Sequence, residues 1–438
     1  MNNVINIGLL GHGTVGASVT RHLRLNAAPL QERLGVRLHL CRVAVRRANQ
    51  RRPASTSFTT DWREVTRDPD IPIVVELIGG CDTARAATLD ALRLGKTVIT
   101  ANKALLAEHG AELFRVANHH RANICFEASV CGGVPIIKIL REGLVANRFD
   151  LIYGIVNGTC NYIFTRMTED GAEFADALRE AQRLGYAEMD PSLDIRGVDA
   201  AHKATILASL AHGSWTGLEN TYVEGIRHIT QFDIQIAREL GYRIKQLAIV
   251  KRSGKGDTIE ARVHPTLIPQ HHVLASVNGA FNAVVVRGDV VGDTMFYGRG
   301  AGGDATASAV IADLADAALA LKSGRNVRPP LFTSRSRARI LPMDDVESRY
   351  YLRLTVADRA GVIARVAKIL GDADISIASV LQPEAPEPKR GEKPSEHVPL
   401  IMMLHTARDR AVRDAVARID RLSVVCARTE VIRVESFD

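Results

Sequence analysis

The sequence predicts an α/β protein with a parallel sheet at its N-terminal end, a mixed α/β domain in the middle and a ferredoxin-like domain at its C-terminal end. Three observations predict this organisation. The 438 residues are too many for one ordinary core. Strand-like and helix-like segments alternate through the first third of the chain, which is typical of a parallel sheet. The segment from residue 348 onward has a β-α-β-β-α-β order of its own.

The predicted domain boundaries follow changes in composition and in the order of predicted strands and helices. Residues 1–130 are expected to form the first domain and residues 131–304 the second, which should also carry the substrate site and a dimerisation surface. Residues 326–347 are expected to link these domains to the third, over residues 348–438. An Ala-rich helix over residues 305–325 is expected to pack back onto the first domain.

Apolar runs and helical spacing predict the individual elements. In the first domain, strands are expected at Val4–Leu10, Arg37–Val45, Ile73–Leu77, Lys96–Ile99 and Ile124–Ala128, and helices at Val15–Leu25 and Thr83–Leu94. In the second, strands are expected at Leu151–Val156, Leu247–Lys251, Ile259–Val263 and Ala283–Val286, and helices at Phe174–Arg183 and Ala200–Ala211. In the third, strands are expected at Tyr350–Val356, Ile375–Leu381, Leu400–His405 and Val424–Val434, and helices at Val362–Leu370 and Arg408–Ile419. The stretch 383–399, rich in Pro, Glu and Lys, is predicted to be a solvated loop.

Composition argues against two classes of protein and favours the cytoplasm. A net charge of +7 would suit nucleic-acid binding, but the basic residues are spread along the chain and aromatic residues make up only 5%, so no stacking surface is indicated. No apolar run reaches the roughly 18 residues that a membrane span requires. The six cysteines are scattered without a C-x-x-C pair, which favours free thiols in a reducing compartment.

A G-x-G-x-x-G motif lies between the first predicted strand and the first predicted helix, over residues 11–16. In this position the motif is typical of a Rossmann-type nucleotide-binding domain, in which free backbone N–H groups at the start of the helix face a pyrophosphate. The expected cofactor contacts are Gly11, Gly13, Thr14, Val15 and Gly16.

The end of the second predicted strand indicates which cofactor binds. Enzymes that use NAD usually place an acid there for the ribose 2′-OH, whereas Arg46 at this position suits the 2′-phosphate of NADP(H). NAD(H) stays possible, because Arg46 lies 30 residues after Gly16 and the usual spacing is about 20. The alternative interpretation of this arginine is a solvated basic loop.

Carboxylates and one lysine are concentrated between residues 188 and 203. Asp199 and Lys203 are four residues apart, so they are expected on one face of a helix. Turn residues in the same stretch would bring Glu188 and Asp194 to the same cleft. Such a group can bind an ammonium ion and tune a proton carrier. The alternative is a solvated ion pair beside an acidic loop.

This segment resembles the signature of the homoserine dehydrogenases: A-x3-G-Y-A, an acidic loop with D-P, then D-I-x-G-x-D-x3-K, over residues 181–203. Further similar stretches are residues 11–16, 76–80, 100–103, 126–135, 157–162 and 300–310, and the resemblance spans roughly residues 4–321. Two positions depart from the family pattern, Ala305 where Pro is frequent and Cys131 where Ala is frequent. Neither departure removes a reactive side chain, so activity is expected.

The resemblance implies the reversible, NADP-dependent reduction of L-aspartate 4-semialdehyde to L-homoserine, in threonine, methionine and isoleucine biosynthesis. Lys203 resembles the proton donor and acceptor, and Asp194 resembles an acid that orders this lysine and nearby water. The substrate-binding positions that the resemblance implies are Glu188, Asp199, Thr159 and Lys103. The further cofactor contacts that it implies are Lys103, Gly79, Gly185 and Gly302.

The resemblance also implies a monovalent-cation loop. Its ligands would be backbone carbonyl oxygens and one carboxylate, from Glu127, Val130, Gly132 and Val134. Hard oxygen ligands of this kind suit Na⁺ or K⁺. The alternative interpretation of the stretch is an ordinary Gly-rich turn.

The C-terminal segment resembles an ACT domain at Asp358–Ile363 and Asp374–Ile377. Such domains often bind an amino acid at the first loop, and threonine is the expected effector because it lies downstream of homoserine. The alternative is a structural or dimerising module. We expect a homodimer or homotetramer, and we expect truncation near Asn326 to leave an active core.

Two other functions stay open at this point. An enzyme resembling aspartate-semialdehyde dehydrogenase would need a cysteine nucleophile, for which Cys131 is the candidate. A non-catalytic amino-acid sensor would bind threonine without turnover. The complete set of charged residues from Glu188 to Lys203 favours the dehydrogenase.

Overall fold

The computed structural model describes residues 4–47, 56–253, 258–324, 331–332, 339–383 and 397–437. Its first sheet has six parallel strands in the order β3-β2-β1-β4-β5-β6. The strands are β1 (Val4–Leu10), β2 (Arg37–Ala44), β3 (Ser57–Thr59), β4 (Ile73–Glu76), β5 (Thr97–Thr100) and β6 (Ile124–Cys125). The strand order reverses at β1, and in sheets of this type the ligand cleft opens there, at the carboxyl ends of the strands. The predicted Rossmann-type domain is thus confirmed.

The helices of this domain are α1 (Thr14–Leu25), α2 (Ala27–Leu34), α3 (Arg63–Thr66), α4 (Asp82–Arg93) and α5 (Lys103–His119). The predicted C-terminal end of the fifth strand, expected at Ile124–Ala128, is wrong. The strand ends at Cys125, and Glu127–Ser129 forms a short 3₁₀ helix instead. The buried carboxylate of Asp313, far along the chain, accepts the backbone N–H of Glu127, which takes this segment out of the sheet.

The middle domain contains strands and helices in mixed order. Its strands are β7 (Phe149–Ile155), β8 (Tyr222–Val223), β9 (Tyr242–Ser253), β10 (Thr258–Pro269), β11 (Phe281–Gly288) and β12 (Gly292–Arg299). Its helices are α6 (Ile136–Lys138, continued by a π-helical turn at Ile139–Gly143), α7 (Gly158–Asp170), α8 (Phe174–Arg183), α9 (Ser192–Ile195), α10 (Val198–His212) and α11 (Gln231–Glu239). The strands β12, β11, β7, β9 and β10 are neighbours in one sheet, and α10 packs against β9 and β10.

The long helix α12 (Gly303–Ser323) lies against the first domain. Val310 and Leu314 of α12 share a buried apolar cluster with Val19 of α1 and Leu9 of β1. The first turn of α12 also meets the first turn of α1, since Gly303 lies close to Thr14 and Ser18. The N-terminal ends of both helices therefore border the same cleft.

The C-terminal domain has the predicted β-α-β-β-α-β order. After a short strand β13 (Arg339–Ile340), its elements are β14 (Glu347–Ala357), α13 (Val362–Asp372), β15 (Ile377–Leu381), β16 (His397–Arg408), α14 (Asp409–Ile419) and β17 (Glu430–Val434). The strand order β17-β14-β16-β15 is ferredoxin-like. Of the predicted loop at 383–399, residues 384–396 lie outside the described residues.

The C-terminal domain continues the sheet of the middle domain. Strand β17 pairs in parallel with β10, with Thr266 opposite Arg433 and Leu267 opposite Val434. The described strands of the two domains thus form one sheet of eleven. One apolar cluster also spans the junction and contains, among others, Phe164, Ile234, Leu267, Tyr351, Met403 and Ile432. The domain is therefore not joined by a linker alone, and truncation near Asn326 would expose this cluster instead of leaving an intact core.

The predicted linker 326–347 contains packed residues as well. Residues 326–330 and 333–338 lie outside the described residues. Phe332 packs edge-on against Phe114 and Trp215, and Ile340 of β13 pairs with Ile259 of β10. In the part of the chain that the structure describes, no helix is long and apolar enough to cross a membrane.

Candidate active site

A cleft between the first and middle domains contains most of the predicted site residues. Its two neighbouring cavities have volumes of about 660 Å³ and about 440 Å³. The larger is lined by the predicted residues Val15, Lys103, Gly132, Thr159, Gly185, Glu188, Asp194, Asp199, Lys203 and Gly302. The smaller is lined by the predicted residues Val15, Gly79, Lys103, Glu188, Asp194 and Asp199. The cavities share a wall on which Glu188, Asp194, Asp199 and Lys103 lie, while Lys203 lines the larger cavity beside it.

The centre of this wall is one aspartate between two lysines. Helix α10 begins after Gly197 and presents Asp199 and Lys203 one turn apart, with Lys203 Nζ 2.8 Å from Asp199 Oδ2. The other carboxylate oxygen of Asp199 lies 3.0 Å from Nζ of Lys103. Lys203 also donates a hydrogen bond of 2.6 Å to the carbonyl oxygen of Val156. Two ammonium groups from different domains thus meet at one buried carboxylate.

These contacts determine the protonation states of Asp199 and Lys203. Burial alone would raise the pKa of Asp199 and lower that of Lys203, because it disfavours both charged forms. The two lysines outweigh burial at Asp199 and hold its pKa below its ordinary value. The Asp199 carboxylate likewise raises the pKa of Lys203. The side chain of Lys203 is therefore charged at neutral pH.

Asn157 joins the carboxylates of the site, and the sequence reasoning gave it no role. Its side-chain N–H₂ donates to Asp194 Oδ1 at 2.7 Å and to Asp199 Oδ2 at 2.9 Å, while its oxygen caps helix α7 at Cys160. Burial raises the pKa of Asp194 although Asn157 acts to lower it. Asn is a frequent helix N-cap, but no helix was predicted directly after Asn157, and which carboxylates its side chain reaches depends on long-range packing.

Lys103 is held by the ends of two strands. Asn102 caps α5 through the N–H of Leu105 and donates to the carbonyl oxygen of Gly80 at 2.7 Å. On the same two strands, the buried carboxylate of Glu76 accepts a hydrogen bond from the hydroxyl of Thr100. The stretches 76–80 and 100–103, similar to the family in sequence, are therefore bonded to each other, and Lys103 is at the first position of α5. A second residue that the sequence reasoning missed, His202, lines the smaller cavity.

The glycines of the cleft fit a dinucleotide. A Cβ placed on Gly13, Gly79, Gly185 or Gly302 would meet no atom within 4 Å, so the backbone there leaves open space beside the cleft. Gly16 differs, because a Cβ there would collide with the carbonyl oxygen of Gly11 and push α1 away from the turn. Gly13 and Gly302 precede α1 and α12, so two helix N-termini supply N–H donors for a pyrophosphate. The residues present therefore fit NAD(P).

The other predicted substrate residues lie on the middle-domain side of the cleft. The hydroxyl of Thr159 donates to the carbonyl oxygen of Tyr186 at 2.6 Å, which ties α7 to the segment carrying Gly185 and Glu188. Cys131 also lines the larger cavity. Burial raises the pKa of its thiol, opposed only in part by Lys203, so the thiolate that a nucleophile requires is disfavoured.

Several predicted residues lie outside the linings of both cavities: Gly11, Gly13, Thr14, Gly16, Arg46, Glu127, Val130 and Val134. Arg46 is exposed and lies two residues beyond the end of β2. It is therefore at the carboxyl ends of the parallel strands, where the turn at residues 11–16 also lies. The carboxylate of Glu127 accepts backbone N–H groups of Ile137 at 3.0 Å and Lys138 at 2.7 Å. Among the described residues, no group of three or more His, Cys, Asp or Glu side chains is arranged to bind a metal.

Profiles of known families match most of the chain. The profile described as homoserine dehydrogenase matches residues 135–315, and that of the homoserine dehydrogenase NAD binding domain matches residues 11–127. The chain belongs to the homoserine dehydrogenase family. It is an NAD(P)-dependent oxidoreductase, and a third profile, that of the ACT domain, matches residues 350–420.

Relatives in this family cover the whole chain. The homoserine dehydrogenase of Pseudomonas aeruginosa is 44% identical over 439 residues, covering 99% of each protein, and that of Neisseria gonorrhoeae is 43% identical over 440 residues with the same coverage. The crystal structure of a homoserine dehydrogenase from Thiobacillus denitrificans superimposes with a TM-score of 0.92 at 45% identity, covering 99% of each chain. A hyperthermophilic archaeal homoserine dehydrogenase in complex with NADPH covers 74% of this chain and 100% of its own, with a TM-score of 0.63 at 28% identity.

Membership of the family bears on the two alternative functions. The alternative of an enzyme resembling aspartate-semialdehyde dehydrogenase loses its support, since Cys131 is buried as a thiol and the family is another one. A purely non-catalytic sensor is also disfavoured, because Lys103, Asp199 and Lys203 are all present and in contact.

Proposed function

We propose that this dehydrogenase reduces L-aspartate 4-semialdehyde to L-homoserine, reversibly, with NADP(H) as the preferred cofactor. The observation that carries the proposal is the contact of Asp199 with both Lys103 and Lys203 on a cavity wall beside the two helix N-termini. A developing alkoxide needs a proton and a positive charge close by, and this wall supplies both.

In this proposal, the cofactor supplies the hydride and the protein supplies alignment and the proton. Lys203 gives its proton to the substrate oxygen as negative charge develops there. Asp199 keeps Lys203 charged before the reaction, and the carbonyl oxygen of Val156 aims its ammonium group. In the reverse direction, Lys203 takes the proton from the hydroxyl of homoserine.

The substrate carries an ammonium and a carboxylate group besides the aldehyde. Glu188 and Asp199 line the larger cavity, and we assign them to substrate binding together with Thr159. Lys103, half-exposed at the shared wall, is assigned to the junction of substrate and nicotinamide. Asp194, bound by Asn157, is assigned to ordering Lys203 and the water near it.

The preference for NADP(H) rests on Arg46, which is exposed at the edge of the sheet where the adenosine half of a dinucleotide lies. The archaeal relative whose structure contains NADPH supports the same choice. A monovalent cation, Na⁺ or K⁺, is proposed at Glu127, Val130, Gly132 and Val134. Its ligands would be backbone carbonyl oxygens together with the Glu127 carboxylate, which the N–H groups of Ile137 and Lys138 already orient.

Regulation, assembly and location are further parts of the proposal. Threonine is proposed as the effector of the ACT domain, acting by binding one arrangement of the protein better than another. We propose a homodimer or homotetramer that forms through the middle domain. A reducing compartment, the cytoplasm, is supported by six cysteines of which none is paired with another.

A steady-state assay of homoserine oxidation with NADP and NAD in parallel tests the proposal. We expect turnover with both and a higher kcat/KM with NADP. Absence of turnover with homoserine would refute the function, and a higher kcat/KM with NAD would refute the cofactor preference alone. Adding threonine, and replacing K⁺ by an organic cation, tests the effector and the cation in the same assay.

A further inference from the structure

A partly buried ion pair links the C-terminal domain to segment 224–226, which packs on the turn that carries Asp194. Arg433 of β17 donates from Nη1 to Glu224 Oε2 at 2.8 Å. The same arginine donates from Nη2 to Asp409 Oδ1 at 2.7 Å and from Nε to the same oxygen at 3.0 Å, and it is only 3% exposed. Arg433 and Asp409 both belong to the C-terminal domain, whereas Glu224 belongs to the middle domain. The ion pair therefore crosses the junction.

Glu224 has further neighbours on its own side of the junction. The hydroxyl of Tyr222 donates to Glu224 Oε2 at 3.0 Å, and His228 Nε2 lies 3.2 Å from Oε1. The backbone N–H of Glu224 donates to the carbonyl oxygen of Val263 in β10 at 2.8 Å. Both the side chain and the backbone of Glu224 are thus held by the continuous sheet.

The segment that begins at Glu224 packs directly on the catalytic turn, backbone against backbone. Ile226 donates its N–H to the carbonyl oxygen of Ile195 at 2.9 Å. A Cβ on Gly225 would collide with that same carbonyl, and one on Gly197 would lie 3.0 Å from the carbonyl oxygen of Glu224. No side chain separates the two segments, so a shift of one segment displaces the other.

The turn at 194–197 begins with or leads into three residues that the proposed function assigns to the reaction. Asp194 precedes Ile195, and Gly197 is the residue before α10, which carries Asp199 and Lys203. We propose that Glu224 is a positioning residue: held by Arg433, it fixes segment 224–226 against turn 194–197 and so sets the direction of Asp194 and the start of α10. This role rests on the proposed function, which assigns Asp194, Asp199 and Lys203 to the reaction.

The variant Glu224→Ala tests the role. It removes the carboxylate that Arg433 holds, while Arg433 keeps Asp409. We expect kcat for homoserine oxidation to fall about tenfold, below the roughly hundredfold that a misplacement of 1 Å can cost. The KM for the cofactor should stay within about twofold, because the cofactor-binding turns are untouched. Glu224→Gln, which keeps the length and an acceptor oxygen, should restore kcat to within about threefold of the wild type.

Arg353→Ala is the matched control. Arg353 is also a C-terminal-domain arginine whose ion pair crosses the junction, with Nε 2.6 Å from Asp233 Oδ1. Asp233 is otherwise bound by Tyr351 and Thr230, so this pair holds the start of α11 instead of the catalytic turn. We expect Arg353→Ala to lower the thermal midpoint at least as much as Glu224→Ala and to keep the wild-type kcat.

Three outcomes would overturn the role of Glu224. These are a wild-type kcat in folded Glu224→Ala, an equal loss of kcat in Arg353→Ala, and no recovery in Glu224→Gln. If Glu224→Ala does not fold, Glu224→Asp replaces it. A lower kcat in Glu224→Asp than in Glu224→Gln supports the role, and equal values overturn it. A wild type without turnover would refute the proposed function and this role with it, whereas an active wild type with unaffected variants refutes the role alone.

Discussion

The catalytic cleft and the junction with the C-terminal domain both contain buried charges, but the two clusters are arranged differently. In the cleft, Asp199 is shared by two lysines, and the group faces a cavity. At the junction, Glu435 accepts hydrogen bonds from Arg262 at 2.7 Å, Lys251 at 2.5 Å and Tyr153 at 2.7 Å. Arg262 is 1% exposed and Glu435 is 4% exposed, so neither group is available to a ligand.

The difference shows what burial does to a charged group. Taking an ion out of water costs several kcal/mol unless partners and hydrogen bonds compensate for the lost solvation. At the junction the partners are fixed side chains, so the cluster holds two domains together. In the cleft one side faces a cavity, and both lysines line it. The predictions below test this distinction, beginning with the largest expected effect.

Glu435→Ala should destabilise the fold without a direct effect on chemistry. Among the described residues, it leaves the buried Arg262 with Glu260, at 3.2 Å, as its remaining carboxylate partner. Removing one member of a buried ion pair costs about 3–5 kcal/mol of unfolding free energy. Urea unfolding of Glu435→Ala and of Lys368→Ala, which removes an exposed pair with Asp372, measures the contrast. A loss at Glu435 as small as that at Lys368 would contradict the closed cluster.

Lys203→Ala should have the opposite profile. We expect kcat to fall by at least about 100-fold, the low end for a lost general acid–base, with cofactor affinity nearly unchanged. The measurement is steady-state kinetics with homoserine together with cofactor titration by fluorescence. Near-normal turnover in the folded variant would remove Lys203 from the mechanism. Lys138→Ala, which removes an ion pair with Asp316 away from the cavity linings, is the control.

Lys245 sharpens the comparison, because the groups that accept its hydrogen bonds carry no charge. Its ammonium donates to Asn161 Oδ1 at 3.1 Å, to the carbonyl oxygen of Val277 at 2.6 Å and to Asn278 Oδ1 at 3.4 Å. Burial, with a smaller contribution from Arg243, lowers the pKa of Lys245 to about 7. The lysine therefore loses its proton far more easily in the folded than in the unfolded protein.

The sign of the resulting pH dependence follows from this depressed pKa. Between pH 7 and about 10, the unfolded chain binds the proton at Lys245 and the folded chain does not, so stability rises with pH in this window. Relative to Lys245→Met, the wild type should gain on the order of 2 kcal/mol of unfolding free energy between pH 6.5 and 9. Urea unfolding of both proteins at the two pH values measures it. If the difference in unfolding free energy between the two proteins does not change with pH, the pKa of Lys245 is not depressed in the folded protein.

Arg46→Asp should give the smallest of these effects. The side chain is exposed, so a loss of stability is not expected. We expect kcat/KM with NADP to fall about tenfold, as a charge-assisted hydrogen bond to phosphate is lost, and kcat/KM with NAD to stay close to the wild-type value. Parallel kinetics with both cofactors measure this. Equal losses with the two cofactors would exclude a role for Arg46 in cofactor choice.

Local sequence was sufficient for many of the helices and strands and for contacts within one helical turn. Residues 11–16 form the expected turn between β1 and α1, and Phe174–Arg183 is a helix within the bounds that its spacing predicted. The contact between Asp199 and Lys203 also follows from sequence, because residues four apart on a helix are neighbours wherever the helix lies. The resemblance to the family added the assignment of residues, which spacing alone left open.

Tertiary structure alone decided which distant groups meet. Helix α7 begins with Gly, Thr and Cys, which are poor helix formers, and it was not predicted. It forms where Asn157 caps it and Phe164 packs at the junction. Likewise, no periodicity could indicate that Lys103 would reach Asp199 or that β17 would pair with β10. The spacing of apolar residues along the chain indicates which face of a helix or strand is buried. Which other element packs against that face is determined by the folding of the whole molecule.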